Sequence, residues 1–165
     1  DAEVPAERLV GVEGQGFRIA LASLDSGRLG IAACSIGLAQ RALDEALRFT
    51  SEREQFGRPV NENQGLQFML ADMSTQIEAG RALYRYAARL RDAGQDYSMA
   101  AAQAKLFCSD VAMKVTIDAV QLHGGYGYIK EYPVERLMRE AKGLQIVEGT
   151  NQIQRHVIGR RLTSA

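Results

Sequence analysis

Glu148 follows Leu144, Ile146 and Val147 and precedes Gly149. Apolar surroundings disfavour a carboxylate's charged form and make it a stronger base, and a glycine beside it lets a substrate approach the backbone. The same residue also reads as an ordinary glutamate at a helix boundary, where an acid complements the dipole of the next helix. Asp25 and Arg28 lie three apart on one helical face, either as ligand contacts or as a solvated pair worth about 0.2–0.5 kcal/mol. Arg53 offers a planar fork suited to a pyrophosphate, with the Gln55 amide and the Phe56 ring beside it. Gln64 sits three residues after Asn61, the spacing of a capping box. Gln121 precedes Gly124-Gly125, a pair that reads as an abrupt helix stop. Thr150 is an N-cap or, with Gln152, a polar group at a helix N-terminus suited to phosphate.

Other reactive residue types carry less. His123 and His156 are the only two histidines, and neither has a partner at catalytic spacing. Cys34 and Cys108 both fall in apolar helical pattern and read as buried free thiols, as a reducing compartment allows. No cluster of Cys and His has zinc-ligand spacing. Met69, Met73, Tyr84 and Tyr86 recur at helical spacing and read as core or interface.

The elements that must position these groups are helical. Phe17, Leu21, Leu24, Ile31, Leu38, Ala42 and Phe49 recur at steps of three, four or seven, the stripe of one long helix from Gly16 to about Glu52. Gly27, Gly30 and Gly37 each cost that helix about 1 kcal/mol against Ala, which implies that something packs close to it. Residues 53–60 form a loop closed by Gly57 and Pro59. Asn61 is expected to cap a second helix carrying Leu66, Leu70, Met73, Ile77, Leu83, Tyr84, Ala87 and Leu90, which Gly94 ends. Asp96 or Ser98 opens a third, with Ala104, Phe107, Val111, Val115, Ala119 and Leu122. Pro133 starts a short fourth helix to about Lys142, and Gly149 separates it from a fifth, from about Thr150 to Leu162. No segment alternates convincingly as a strand. The fold expected is all-α, an up-and-down bundle of three long helices and two shorter C-terminal ones. Residues 1–13, broken by Pro5 and Gly11, read as a connector, and 14–165 as the bundle.

The bulk properties exclude several functions. Twenty basic and twenty acidic side chains leave no net field to attract nucleic acid or an anionic membrane. No apolar run approaches the roughly 20 residues of a membrane span, and no secretory leader is visible. A start without Met is expected for a processed or excised piece.

Four segments resemble one family in order and spacing. They are Leu24-Asp25-Ser26-Gly27-Arg28, Ser51-Glu52-Arg53-Glu54-Gln55-Phe56-Gly57, Gln121-Leu122-His123-Gly124-Gly125-Tyr126-Gly127 and Val147-Glu148-Gly149-Thr150-Asn151-Gln152-Ile153-Gln154-Arg155. Together they resemble the acyl-CoA dehydrogenases, over nearly the whole chain. The resemblance implies the C-terminal helical domain of a subunit whose N-terminal helical and middle β-domains precede it. It implies α,β-dehydrogenation of acyl-CoA thioesters with FAD, an electron-transfer flavoprotein as electron acceptor, and a homotetramer. Glu148 is then the base that takes the substrate's α-proton, and its backbone N–H helps hold the thioester oxygen. Some branches of the family carry the base on the first long helix instead, at the position of Gly27, which has no side chain. Asp25, Arg28 and Gly149 match positions at the acyl-CoA site. Arg53, Gln55, Phe56, Gln121, Gly124 and Gly125 match contacts to the FAD of a partner subunit, Thr150 and Gln152 match contacts within the subunit, and Gln64 matches a further FAD position.

The resemblance leaves neighbours open: an acyl-CoA oxidase, a related flavoprotein monooxygenase (against which Glu148 speaks), or a free-standing helical assembly domain. The Leu122-to-Tyr128 stretch looks like the short-chain and branched-chain members. Bacterial cytoplasm or mitochondrial matrix are the expected compartments. Four lysines among the twenty basic residues leave sixteen arginines, a lean toward a GC-rich bacterial source.

Overall fold

A computed structural model describes residues 2–164. Its order is α1 (Gly16–Glu52), β1 (Glu54–Gln55), β2 (Arg58–Pro59), α2 (Gln64–Asp92), α3 (Ser98–His123), α4 (Val134–Leu144) and α5 (Asn151–Thr163). Single 3₁₀ turns occupy Ala6–Arg8, Val60–Glu62 and Gly124–Tyr128. The all-α expectation holds. The one departure is the two-residue hairpin, whose antiparallel pairs Glu54–Pro59 and Gln55–Arg58 close around Phe56 and Gly57.

α3 is the central column and packs against all four other helices. Its buried face is built from Ala101, Ala104, Cys108, Ala112, Val115 and Ala119. Small residues there let α1 approach with Ala32, Ile36, Ala39, Leu43 and Ala46, and α2 with Met73 and Ile77. Gly80 of α2 is a contact point: a Cβ there would lie 3.3 Å from Cys108 Sγ and run into Ile36. α1 and α3 run parallel, because Phe49 and His123, both at C-terminal ends, stack with centroids 4.3 Å apart. α2 runs back in the opposite direction and packs against both.

The fourth column is made of two pieces. α4 starts beside the C-terminal end of α3, where Tyr132 meets the His123 ring, and descends until Gln145 reaches Asp110. α5 continues the descent, from Arg155 at Asp110 to Arg161 at Asp96. The break between the pieces is residues 145–150, and it carries Glu148.

Several sequence expectations need correction. Phe17 and Leu21 are exposed, and the buried phase of α1 begins at Arg28 and Leu29. Leu24, Ile31 and Leu38 only flank that phase. Cys34 is exposed, because it lies between the inward positions Ala32 and Ser35–Ile36 and points away from α3. Cys108 is buried, and burial pushes its thiol up to about 12. The capping box does not form: Asn61 lies inside the 3₁₀ turn and the N-cap is Asn63. The Asn63 amide instead donates to the Val60 carbonyl at 2.9 Å and accepts from Arg58 at 3.1 Å. α1 also carries an 18-residue stretch of mean hydropathy 1.3, enough by length and composition to cross a membrane, where no such span was expected. Its apolarity comes largely from Ile, Leu and Ala, and in this fold its buried residues pack along α3.

Candidate active site

The loop between α4 and α5 holds Glu148 in a conformation its side chain resists. Its φ is +55°, left-handed backbone that costs an L-residue roughly 1–2 kcal/mol. Gly149 follows at φ +87°. Such backbone persists only where the surroundings over-determine it, and here they do. Gln154, wholly buried on the first turn of α5, donates its amide N–H to the Gly149 carbonyl at 2.8 Å and to the Glu148 carbonyl at 3.3 Å. A Cβ on Gly149 would fall 2.9 Å from that amide nitrogen, so the clamp needs glycine for space as well as for φ. The Asn151 N–H closes the loop onto the Gln145 carbonyl at 3.0 Å. Asp110 of α3 accepts from both ends, from Gln145 and from Asn151, each at 2.7 Å.

Held this way, the Glu148 carboxylate lies on α1 at Gly27. A Cβ built on Gly27 falls 2.8 Å from Glu148 Cδ and overlaps Oε2. Position 27 of α1 has no side chain, and the carboxylate occupies the place where one would stand. This is the close approach that glycines in α1 implied, although Gly30 and Gly37 meet nothing. Arg28 is next to Gly27, buried, with Nη1 donating to Asp25 at 2.6 Å and Nε without a partner. Below it Lys105, at 0% exposure, donates to Asn151 Oδ1 at 2.8 Å. Burial pulls the Lys105 ammonium down to about 8, and its neighbours include Asp110, Arg28 and Glu148.

Asp25, Arg28, Glu148 and Gly149 thus come together. Thr150 is the N-cap of α5 and accepts from the Ile153 N–H at 3.4 Å, while Gln152 is exposed on the same turn. Both line an open groove of about 440 Å³ with Gln145, Ile146 and Arg155.

The other candidates gather at the far end of the bundle. Arg53 caps the C-terminus of α1 and lies 5.4 Å from the centre of the Tyr126 ring. Gln55 is in the hairpin, and Phe56, at φ +55°, is 100% exposed. Gln121 is exposed, and its carbonyl accepts the Gly124 N–H that ends α3. Gly124 has φ +57° and ψ −135°, a conformation that only glycine adopts readily, and Gly125 has open space around it. Arg53 and Tyr126 border a 240 Å³ cleft with Arg48 and Tyr132. Behind it, burial lowers the His123 imidazole, whose Nδ1 meets the Ala119 carbonyl at 2.8 Å. Gln64 is exposed at the start of α2 and joins neither group.

Lys105, Asn151 and Gln154 were missed as site residues. A signal existed for the first: Lys105 is the one charge in the otherwise apolar or small stretch Ala100–Ser109, apart from Gln103.

A bundle whose fourth column breaks at a clamped glutamate, facing a glycine on the first helix, defines the architecture. The model of the acyl-CoA dehydrogenase C-terminal domain matches residues 14–163, and the chain belongs to that family. It is 53% identical over 162 residues to an acyl-CoA dehydrogenase of Bacillus subtilis, covering 98% of this chain and 43% of that protein. It superposes on butyryl-CoA dehydrogenase from Megasphaera elsdenii with a TM-score of 0.96 and 50% identity, over 98% of this chain and 42% of the other. A chain in a structure of the electron transferring flavoprotein of Acidaminococcus fermentans matches with a TM-score of 0.98 and 56% identity, over 100% and 43%. The chain therefore spans less than half the length of the proteins it resembles.

Proposed function

We propose that this chain works as the C-terminal domain of an FAD-dependent acyl-CoA dehydrogenase, with Glu148 as the base that removes the α-proton. The observation that carries this is the seat of the Glu148 carboxylate on side-chain-free Gly27, in a loop clamped by Gln154 and Asn151. A base must be aimed before it is strong. Strained backbone that three separate contacts hold is what aiming requires.

The residues fit a flavin. Thr150 caps a helix whose free N–H groups suit a phosphate, and Arg53 adds an exposed guanidinium beside open Gly124–Gly125 backbone. They lie in two places. Ser109, which bonds Asn151, and Gln121 are twelve residues apart on α3, or about 18 Å at 1.5 Å per residue. The resemblance assigns the two places to two flavins, one belonging to the subunit and one to a partner, and so supports an oligomer with Phe56 and Arg53 facing a second subunit. Residues 1–13 would lead from an upstream β-domain that covers the flavin ring.

When bound, FAD would supply the acceptor for the hydride leaving the β-carbon. This chain's own part is the rest. Glu148 takes the α-proton and becomes a carboxylic acid, while its backbone N–H, with the loop fixed in the left-handed form, helps hold the thioester oxygen as charge develops there. Asp25 and Arg28 border the acyl-CoA. The similarity to butyryl-CoA dehydrogenase supports a short-chain substrate, and the likeness to a chain in an electron transferring flavoprotein structure supports such a flavoprotein as the acceptor.

The test is turnover of butyryl-CoA by the intact FAD-loaded protein with an artificial electron acceptor. Formation of the 2-enoyl-CoA is expected. An intact, flavin-loaded protein that leaves short, medium and branched acyl-CoAs unchanged would overturn the reading.

A further inference from the structure

Lys105 is the largest side chain wholly shut from solvent, and the chemistry so far makes no use of it. An ammonium is costly to bury without a partner. Here it has no carboxylate within ion-pair distance among the described residues and makes one hydrogen bond, to Asn151 Oδ1 at 2.8 Å. The charged groups around it are Arg28 of α1, with Asp25 paired beyond it, Asp110 of its own helix, and Glu148 of the loop. Arg155 of α5 is engaged on Asp110. A methionine of similar length would fill the space more cheaply, so packing alone does not account for a lysine.

What the lysine does is orient an amide. Asn151 Oδ1 accepts from Lys105 and from Ser109 Oγ, the latter at 3.1 Å, while Nδ2 donates to Asp110 at 2.7 Å. An ammonium can only donate and an ionised carboxylate can only accept, so the pair permits one orientation of Asn151. Asn151 in turn starts α5 and closes the 145–151 loop through its backbone N–H on Gln145. Glu148 lies three residues before it, in backbone that needs outside restraint.

We propose that Lys105 is a positioning residue, whose buried ammonium acts through Asn151 to hold the loop that seats the Glu148 carboxylate on Gly27. The proposal rests on the reading of Glu148 as base. Because burial brings Lys105 down to about 8, its charge is present near neutrality and is lost in the mildly alkaline range. A neutral amine can accept as well as donate, so it fixes the Asn151 amide less strictly, and the rate should fall with the charge.

The experiment compares wild type, Lys105→Met and Glu148→Gln of the intact FAD-loaded enzyme, measuring kcat and KM for butyryl-CoA between about pH 6 and 9.5. Since an error near 1 Å can cost about 100-fold, Lys105→Met should lose tenfold or more in kcat, with KM within about twofold and FAD content unchanged. Wild-type kcat should fall above about pH 8, and that fall should be absent from the variant. A Lys105→Met enzyme with wild-type kcat, or one whose loss lies in KM or FAD content alone, overturns the proposal. If Lys105→Met does not fold, Lys105→Gln, an uncharged side chain that still carries an N–H donor, takes its place: the same loss in kcat alone supports the proposal, and wild-type kcat overturns it. Wild-type-like turnover by Glu148→Gln would remove both readings, whereas an inactive Glu148→Gln beside a fast Lys105→Met removes only this one.

Discussion

Gly27→Ala separates stability from turnover. Alanine in place of glycine inside a helix stabilises by up to about 1 kcal/mol. The three atoms nearest the new methyl would all belong to the Glu148 carboxylate, with Cδ at 2.8 Å and Oε1 at 3.3 Å. Ordinary contact distances are 3.4–4 Å, so the carboxylate must retreat by about 1 Å, a displacement that can cost a reaction on the order of 100-fold. The side chain is flexible enough to move, so the fold should not suffer. The expected result is a melting temperature equal to or a few degrees above wild type, full FAD content, and kcat for butyryl-CoA lower by roughly 100-fold. A stable Gly27→Ala enzyme with kcat within about twofold of wild type would refute the idea that position 27 is empty for the carboxylate.

Other outcomes follow from the same geometry. The folded Lys105 pKa of about 8 lies below the ordinary 10.5, so between these values the unfolded chain holds the proton more often and stability rises with pH. Urea unfolding should therefore show wild type gaining on Lys105→Met by up to about 1.4 kcal/mol per pH unit between roughly pH 8 and 10.5; a constant difference across that range contradicts the burial. Arg53→Ala should weaken FAD retention in the intact enzyme while leaving the helical circular dichroism unchanged, and undiminished flavin content would remove Arg53 from the flavin site. The 165-residue chain by itself should fold as a helical bundle yet neither hold FAD tightly nor oxidise acyl-CoA, because the flavin ring lacks its apolar cover; calorimetry with FAD and an acceptor assay would detect either.

The helices were legible because apolar periodicity and Gly/Pro punctuation are local signals. α1 was readable at both ends, and α3 was readable from Ala104, Val111, Val115, Ala119 and Leu122, all buried, although Phe107 of the same expected stripe is exposed. The facing direction was less legible. Phe17 and Leu21 continue the pattern of α1 but are exposed among the described residues, so periodicity marked a helix without marking its partner. Cys34 was misjudged for the same reason. The capping box failed because a 3₁₀ turn, which leaves no strong trace in sequence, moved the N-cap to Asn63. At the site, Glu148 was legible through the flanking motif, and Gly27 acquired a reason once the carboxylate was found against it. Lys105, Asn151 and Gln154 were not, since their work depends on contacts between residues more than forty positions apart, or on which face of a short polar helix turns inward.

The claim on which everything else depends is that Glu148 takes the α-proton, and single-turnover reduction of the flavin tests it most directly. Glu148→Gln keeps the size and shape of the side chain but cannot accept the proton. On mixing the intact, FAD-loaded variant with butyryl-CoA, flavin reduction should be slower than in wild type by 10²–10⁴-fold or more, roughly the usual worth of a general base. A Glu148→Gln enzyme that keeps its FAD and reduces it at close to the wild-type rate would show that the proton goes elsewhere.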